Sequence, residues 1–163
     1  SSDVCSSDLL PAVINGSEES MQIAAILRAK GSAVARVGSM SNVAEALKVL
    51  QQKRIGAVVV ADDDTSVDGV LSERDIVRGL VEHGAEALDF PVTTLMTSDV
   101  ITCSEDRTVD ELLRDMTEHR IRHLPVLRDG HLAGIVSIGD LVKYRLDELE
   151  GERDAMRDYI ATG

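Results

Sequence analysis

The sequence predicts a mixed α/β (α+β) fold made of two β-α-β-β-α repeats, and three observations lead there. The core has to be aliphatic, because 44% of residues are hydrophobic and only 2% aromatic. Val, Ile, Leu and Ala in short blocks suit strands and helices packed together. A capped amphipathic helix occurs twice, as Asn42-Val-Ala-Glu-Ala-Leu-Lys-Val-Leu50 and as Thr108-Val-Asp-Glu-Leu-Leu-Arg-Asp-Met116. Each copy is followed by Arg-Ile, an apolar strand, an acidic turn, a second strand and the pattern Gly-x-x-Ser-x-x-Asp. Self-similarity of this kind marks a duplicated unit.

Residues 1–20 read as a leader outside the fold. Ser1 to Leu9 resembles a translated adapter rather than a structural element, and Met21 reads as a natural start; the alternative is a disordered native tail. The first repeat is placed at 21–82. Its opening strand is expected at Ala33–Val37. Its first helix follows a capping box, Asn42 with Glu45, and sets Val43, Ala46, Leu47 and Leu50 on one face. After Arg54-Ile55 come a strand at Ala57–Val60, the turn Asp62-Asp63-Asp64, a strand from Gly69 and a helix starting near Asp75. Residues 83–99, with Gly84 and Pro91, connect the copies.

The second repeat is placed at 100–148. A strand at Val100–Cys103 precedes the helix capped by Thr108 and Glu111, whose apolar face is Val109, Leu112, Leu113 and Met116. A strand is expected at His123–Leu127, after Arg120-Ile121. Asp129-Gly130 is a hairpin signal, one residue shorter than the first turn, and leads to a strand ending at Ser137 and a helix near Asp140. Residues 149–163 continue as a charged helix. Val142, Leu146, Leu149, Met156 and Ile160 form a stripe that Arg153 interrupts, and Gly151 weakens the helix interior. The expectation is a helix packed on the body rather than a short coiled coil.

Twenty-nine acidic against 17 basic residues give a formal charge of -12. Such a surface repels phosphate backbones, so no nucleic-acid partner is expected. A small anion remains possible where cations or a helix N-terminus gather. No apolar run reaches the length of a membrane span and no signal peptide stands out, so a cytoplasmic setting without a membrane partner is expected. Cys5 and Cys103 make neither a disulfide framework nor a zinc site. The three aspartates read as a solvated turn, and no metal site is expected. Cys103 has no obvious His partner, no Gly-x-Ser-x-Gly occurs and neither motif serine has a base, so no catalytic residue and no enzyme are expected.

Gly69-Val-Leu-Ser72-Glu-Arg-Asp75 and Gly134-Ile-Val-Ser137-Ile-Gly-Asp140 carry the chemistry. Ser-x-x-Asp at a helix start is by itself a capping box. The same geometry aims backbone N–H groups and a hydroxyl at a phosphate, with a carboxylate able to accept from two ribose hydroxyls. With Leu95-Met96-Thr97, Arg122-His123-Leu124-Pro125-Val126 and Val136-Ser137 as further matches, residues 21 to about 148 resemble the cystathionine-β-synthase-type (CBS) domain pair. The resemblance implies two repeats related by a pseudo-twofold axis. It also implies an adenine nucleotide bound between them as a regulatory ligand, with no cofactor required. By position, Ser72 and Asp75, and Ser137 and Asp140, would take the phosphate and ribose roles.

The resemblance pairs Gly69–Asp75 with Ile121, Arg122 and His123. It pairs Gly134–Asp140 with Ile55, Gly56 and Ala57. The first cleft would gather Arg74, Arg122 and His123, whereas the second has no cation at matching positions. The function expected is a non-catalytic sensor of AMP, ADP, ATP, NAD(H) or S-adenosylmethionine. It would act as a homodimer on a separate effector protein, since the repeat fills the chain. The alternative is a ligand-free dimerisation scaffold.

Overall fold

The computed structural model describes residues 21–31 and 34–162. The leader, Cys5 and the Ala33 end of the first expected strand lie outside the described residues. The element order is α1 (Ile23–Lys30), β1 (Arg36–Val37), α2 (Val43–Lys53), β2 (Ala57–Val60), β3 (Gly69–Ser72), α3 (Glu73–His83), a 3-10 turn (Gly84–Asp89), α4 (Val92–Leu95), β4 (Cys103–Ser104), α5 (Val109–His119), β5 (His123–Arg128), β6 (His131–Ser137) and α6 (Ile138–Thr162).

Each repeat builds one three-stranded sheet in the order β1-β2-β3 and β4-β5-β6. In each, the first strand runs parallel to the second, and the second is antiparallel to the third. Both expected capping boxes form. The Asn42 side chain accepts from the Glu45 N–H at 2.9 Å, and the Thr108 hydroxyl accepts from the Glu111 N–H at 3.3 Å. Both helices stop at an arginine in the left-handed region, Arg54 and Arg120, each with φ of 55°.

The two hairpins differ more than the sequence suggests. The first crosses a loop in which Asp62 accepts from the Ser39 N–H and hydroxyl at 2.8 and 2.7 Å. Asp63 accepts from Thr65 and Ser66, and Asp64 pairs with Arg36. The second closes tightly through Asp129 and Gly130, with φ of 52° and 78°. Positive φ at both central residues matches the twist of the flanking strands, and its ladder runs on to Arg128↔His131 past an irregularity at Val126/Leu127.

The segments before the two first strands are exchanged. α1 was not anticipated; its Ile23, Ile26 and Leu27 are buried in the second repeat's core with Val109, Leu112, Met116, Leu124 and Leu141. The connecting segment does the reverse: Val92 is buried in the first repeat's core, with Phe90, Leu95 and Met96 packed against it. The backbone contacts mirror each other. Val109 N–H donates to the Met21 carbonyl at 3.0 Å and Ile23 N–H to the Arg107 carbonyl at 2.9 Å. Val43 N–H donates to the Phe90 carbonyl at 2.9 Å and Val92 N–H to the Ser41 carbonyl at 2.9 Å. This is the pseudo-twofold relation in hydrogen bonds. A third cluster, Val59, Ala61 and Leu132 with Ile135 and Leu127, joins the two sheets.

The C-terminal expectation is corrected. α6 is one 25-residue helix, its first turns are those of the second repeat, and from Gly151 to Thr162 every residue is exposed. The apolar stripe lies on the side away from the body, so the distal helix does not pack there.

Candidate ligand-binding cleft

Where the start of α3 meets the start of β5, the chain leaves a cleft of about 310 Å³. α3 begins there because Ser72 caps it. The Ser72 hydroxyl accepts from the Asp75 N–H at 3.3 Å, and Asp75 Oδ2 accepts from the Ser72 N–H at 3.0 Å and hydroxyl at 3.0 Å. The capping box is therefore complete without any ligand. It uses only one carboxylate oxygen. Asp75 Oδ1 has Arg78 at 3.7 Å as its ionic neighbour. Asp75 is 7% exposed and is the one buried charged residue among those described.

The structure brings Ser72, Arg74, Asp75, Ile121, Arg122 and His123 onto this one cleft. It adds Arg78 from α3 and Arg120 from the end of α5, which the sequence reading missed. Arg120 arrives because the left-handed residue that ends α5 turns the chain at the cleft rim. Val70, Val100, Ile101 and Ile121 supply apolar walls, and Glu73 and Asp99 the remaining acidic groups. Among the described residues no carboxylate lies within 4.0 Å of Arg74, Arg120 or Arg122. A cationic cleft in a chain of charge -12 is a local reversal of the molecule's field.

His123 is half-buried at the back of the cleft, facing Gly56 closely enough that a β-carbon there would stand 3.4 Å from Nε2. Burial holds its imidazole below the ordinary value of 6.5. Asp140 and Glu73 pull the other way, while Lys30 and Arg122 reinforce the drop. The ring is neutral at neutral pH.

The Asp140 side differs from expectation. Asp140 Oδ2 accepts from the Ser137 N–H at 2.9 Å and the Ser137 hydroxyl accepts from the Asp140 N–H at 3.1 Å, so the second capping box also forms. A cation is present after all: Lys30 Nζ, from the exchanged α1, donates to Asp140 Oδ2 at 2.7 Å and to the Ile135 carbonyl at 2.9 Å. Partial burial raises the Asp140 carboxyl, but the Lys30 and Ser137 donors outweigh it and hold the group below its ordinary value. Ile55 lines an adjoining open groove of about 540 Å³ with Leu47, Leu50 and Arg54, which shares Gly56 and Glu73 with the cleft, and Ala57 is buried in β2. Neither cavity described is lined by Ser137 or Asp140.

Cys103 is a buried free thiol in the second core, pushed up to about 11 by burial, and so it is protonated and a poor nucleophile. No group of three metal-ligating side chains occurs among the described residues.

Comparison with known proteins places these features. A family model described as the CBS domain matches residues 33–82 and 92–147, so the second match starts inside the connecting segment. A mitochondrial CBS domain-containing protein of Arabidopsis thaliana is 31% identical over 155 residues, covering 89% of this chain and 74% of its own length. The crystal structure of a CBS-domain protein from Agrobacterium tumefaciens superposes with a TM-score of 0.73 at 42% identity, covering 77% of this chain and 99% of that one. A CBS-domain protein from Pyrobaculum aerophilum, solved in complex with AMP, superposes with a TM-score of 0.65 at 27% identity, covering 74% of this chain and 89% of that one.

Proposed function

Since the chain belongs to the CBS-domain family, we propose that it is a non-catalytic regulatory module that binds an adenine nucleotide in the Asp75 cleft and signals the occupancy to a separate effector protein. The observation that carries this reading is the cleft itself. A buried carboxylate with one oxygen free of hydrogen bonds, its ionic neighbour Arg78 at 3.7 Å, stands among four arginines and apolar walls. That set offers a ribose acceptor, phosphate donors and a surface for a base in one place. The AMP complex of the Pyrobaculum aerophilum relative supports the ligand class. AMP, ADP, ATP, NAD(H) and S-adenosylmethionine all share the adenosine part such a site would hold. A cytoplasmic, reducing setting belongs to the same reading, with Cys103 as a buried free thiol.

A homodimer completes the module. α3 exposes Val77 and Val81, and α6 exposes Val142 and Leu146 at the matching positions of the other repeat. A twofold contact covers such a self-complementary face in both copies at once.

Calorimetry with AMP tests the site. Asp75→Ala and Arg122→Ala are each expected to weaken binding about tenfold or more, the worth of one charge-assisted hydrogen bond. Asp140→Ala is expected to spare the tight phase, because Lys30 already engages that carboxylate. Arg122 is exposed and caps nothing, so its variant separates lost binding from lost folding. Binding that vanishes with Asp140→Ala and survives Asp75→Ala would overturn the assignment. A second reading, a ligand-free scaffold, is favoured by both capping boxes being satisfied from within. An adenine ligand at a hundredfold excess over Kd stabilises a true site by about 2.7 kcal/mol, and the absence of any thermal shift across the adenine panel would select the scaffold.

A further inference from the structure

We infer that the distal part of α6 pairs with the same segment of a second copy as a parallel two-stranded coiled coil. The inference rests on the homodimer reading above and extends its α6 contact, at Val142 and Leu146, along the rest of the helix. Residues 151–162 are helical and wholly exposed, with Met156 at 66% and Ile160 at 71%. A helical arm this short, entered through a glycine, does not sustain itself in water. It needs a surface to lie on, and the body does not provide one.

The arm carries a seam. Val142, Leu149 and Met156 fall at one core position of a heptad, and Leu146, Arg153 and Ile160 at the other. Leu141 and Tyr144, which anchor α6 in the second core, lie on the opposite side. The seam therefore faces away from the body along the whole helix. Gly151 takes the heptad position farthest from the seam, where an added β-carbon would meet open space.

Charge decides the direction. In a parallel, in-register pair, Glu152 stands opposite Arg157 of the second copy, and Arg145, which also holds Glu148 of its own chain at 3.2 Å, stands opposite Glu150. An antiparallel pair that keeps the apolar layers sets Glu152 against Glu152, Glu150 against Glu150 and Lys143 against Arg157. The parallel form bears one layer of facing arginines, eased because Arg153 has Asp154 of its own chain at 3.9 Å. Among the described residues neither Glu152 nor Arg157 has an opposite charge within 4.0 Å, so both are free to pair across the seam. Docking of the bodies raises the effective concentration of the two arms, so a seam of under three heptads suffices.

Cysteine crosslinking tests the pairing in the full chain with Cys5 replaced by serine. Cys103 stays, because its buried thiol is protonated. Under mild oxidant, Met156→Cys is expected to give a disulfide-linked dimer about tenfold faster than Asp158→Cys, which faces solvent. Equal rates at the two positions overturn the proposal. So does efficient linkage only when a Leu146→Cys chain is mixed with a Met156→Cys chain, the mark of an antiparallel pair. Light scattering on the unmodified chain separates the two readings: a dimer without 156–156 linkage removes the coiled coil and keeps the body dimer, and a monomer removes both.

Discussion

His123 ties the candidate site to pH. Its imidazole is neutral when folded because burial disfavours the charged form. The unfolded chain therefore takes up this proton first as pH falls. The stability it contributes is full above about 6.5 and drains away as pH drops toward the lower folded value. Melting temperatures between pH 7.5 and 5.5 are expected to fall more steeply for the wild type than for His123→Gln, and parallel slopes would exclude the residue as the cause. At this scale the sequence was readable where a side chain acts on its near neighbours. Ser72 with Asp75 and Ser137 with Asp140 follow from spacing alone. It was opaque where a side chain acts across the fold: nothing local says that Lys30 reaches Asp140, or that Arg120 lies on the cleft at the start of α3.

The motif glycines are explained by packing between elements rather than by a ligand. A β-carbon on Gly69 would stand 2.5 Å from Met96 Sδ and 2.8 Å from the Thr97 carbonyl oxygen, and one on Gly134 would stand 2.5 Å from Leu27 Cδ2. Each glycine lets the exchanged segment lie against the edge of its sheet. Alanine at Gly69 meets backbone that is itself paired to Val70 at 2.9 and 3.0 Å, whereas alanine at Gly134 meets the flexible end of a leucine. Gly69→Ala is expected to cost about 1–3 kcal/mol in denaturant unfolding, the usual price of overpacking, and Gly134→Ala clearly less. The reverse order would refute this account. Among the elements, β2 and both capped helices were legible because apolar period and caps agree. The helical course of α6 was legible past Tyr144, but not where its stripe lies: Gly151 suggested packing on the body, and the helix runs on exposed. β1 and β4 are short, β1 ending at Val37 as expected and β4 shifted toward its helix, as two-residue pairings leave little pattern to read.

For the whole molecule the repeat, and with it the two-sheet architecture, was plain in the sequence. The exchange of segments was not, since α1 shows only that it is apolar on one face and not which core receives it. Ile26, fully buried in the second core, is the place to test it. Ile26→Ala is expected to destabilise the protein by about 2–5 kcal/mol and to speed amide hydrogen exchange in α5 and β6 before β2 and β3. Loss of protection confined to the first repeat would contradict the exchange. The arrangement also sets an order of events on the ribosome. The first sheet can collect its missing piece, α4, soon after α3 emerges. α1 is made before everything it packs on, and its receiving site does not exist until α5, β6 and Leu141 have left the exit tunnel. Until then its apolar face is uncovered in a chain that is otherwise half-formed. α1, made well before the core that receives it, is thus late to find its place, and the interval is when this protein is most open to aggregation and to chaperone capture.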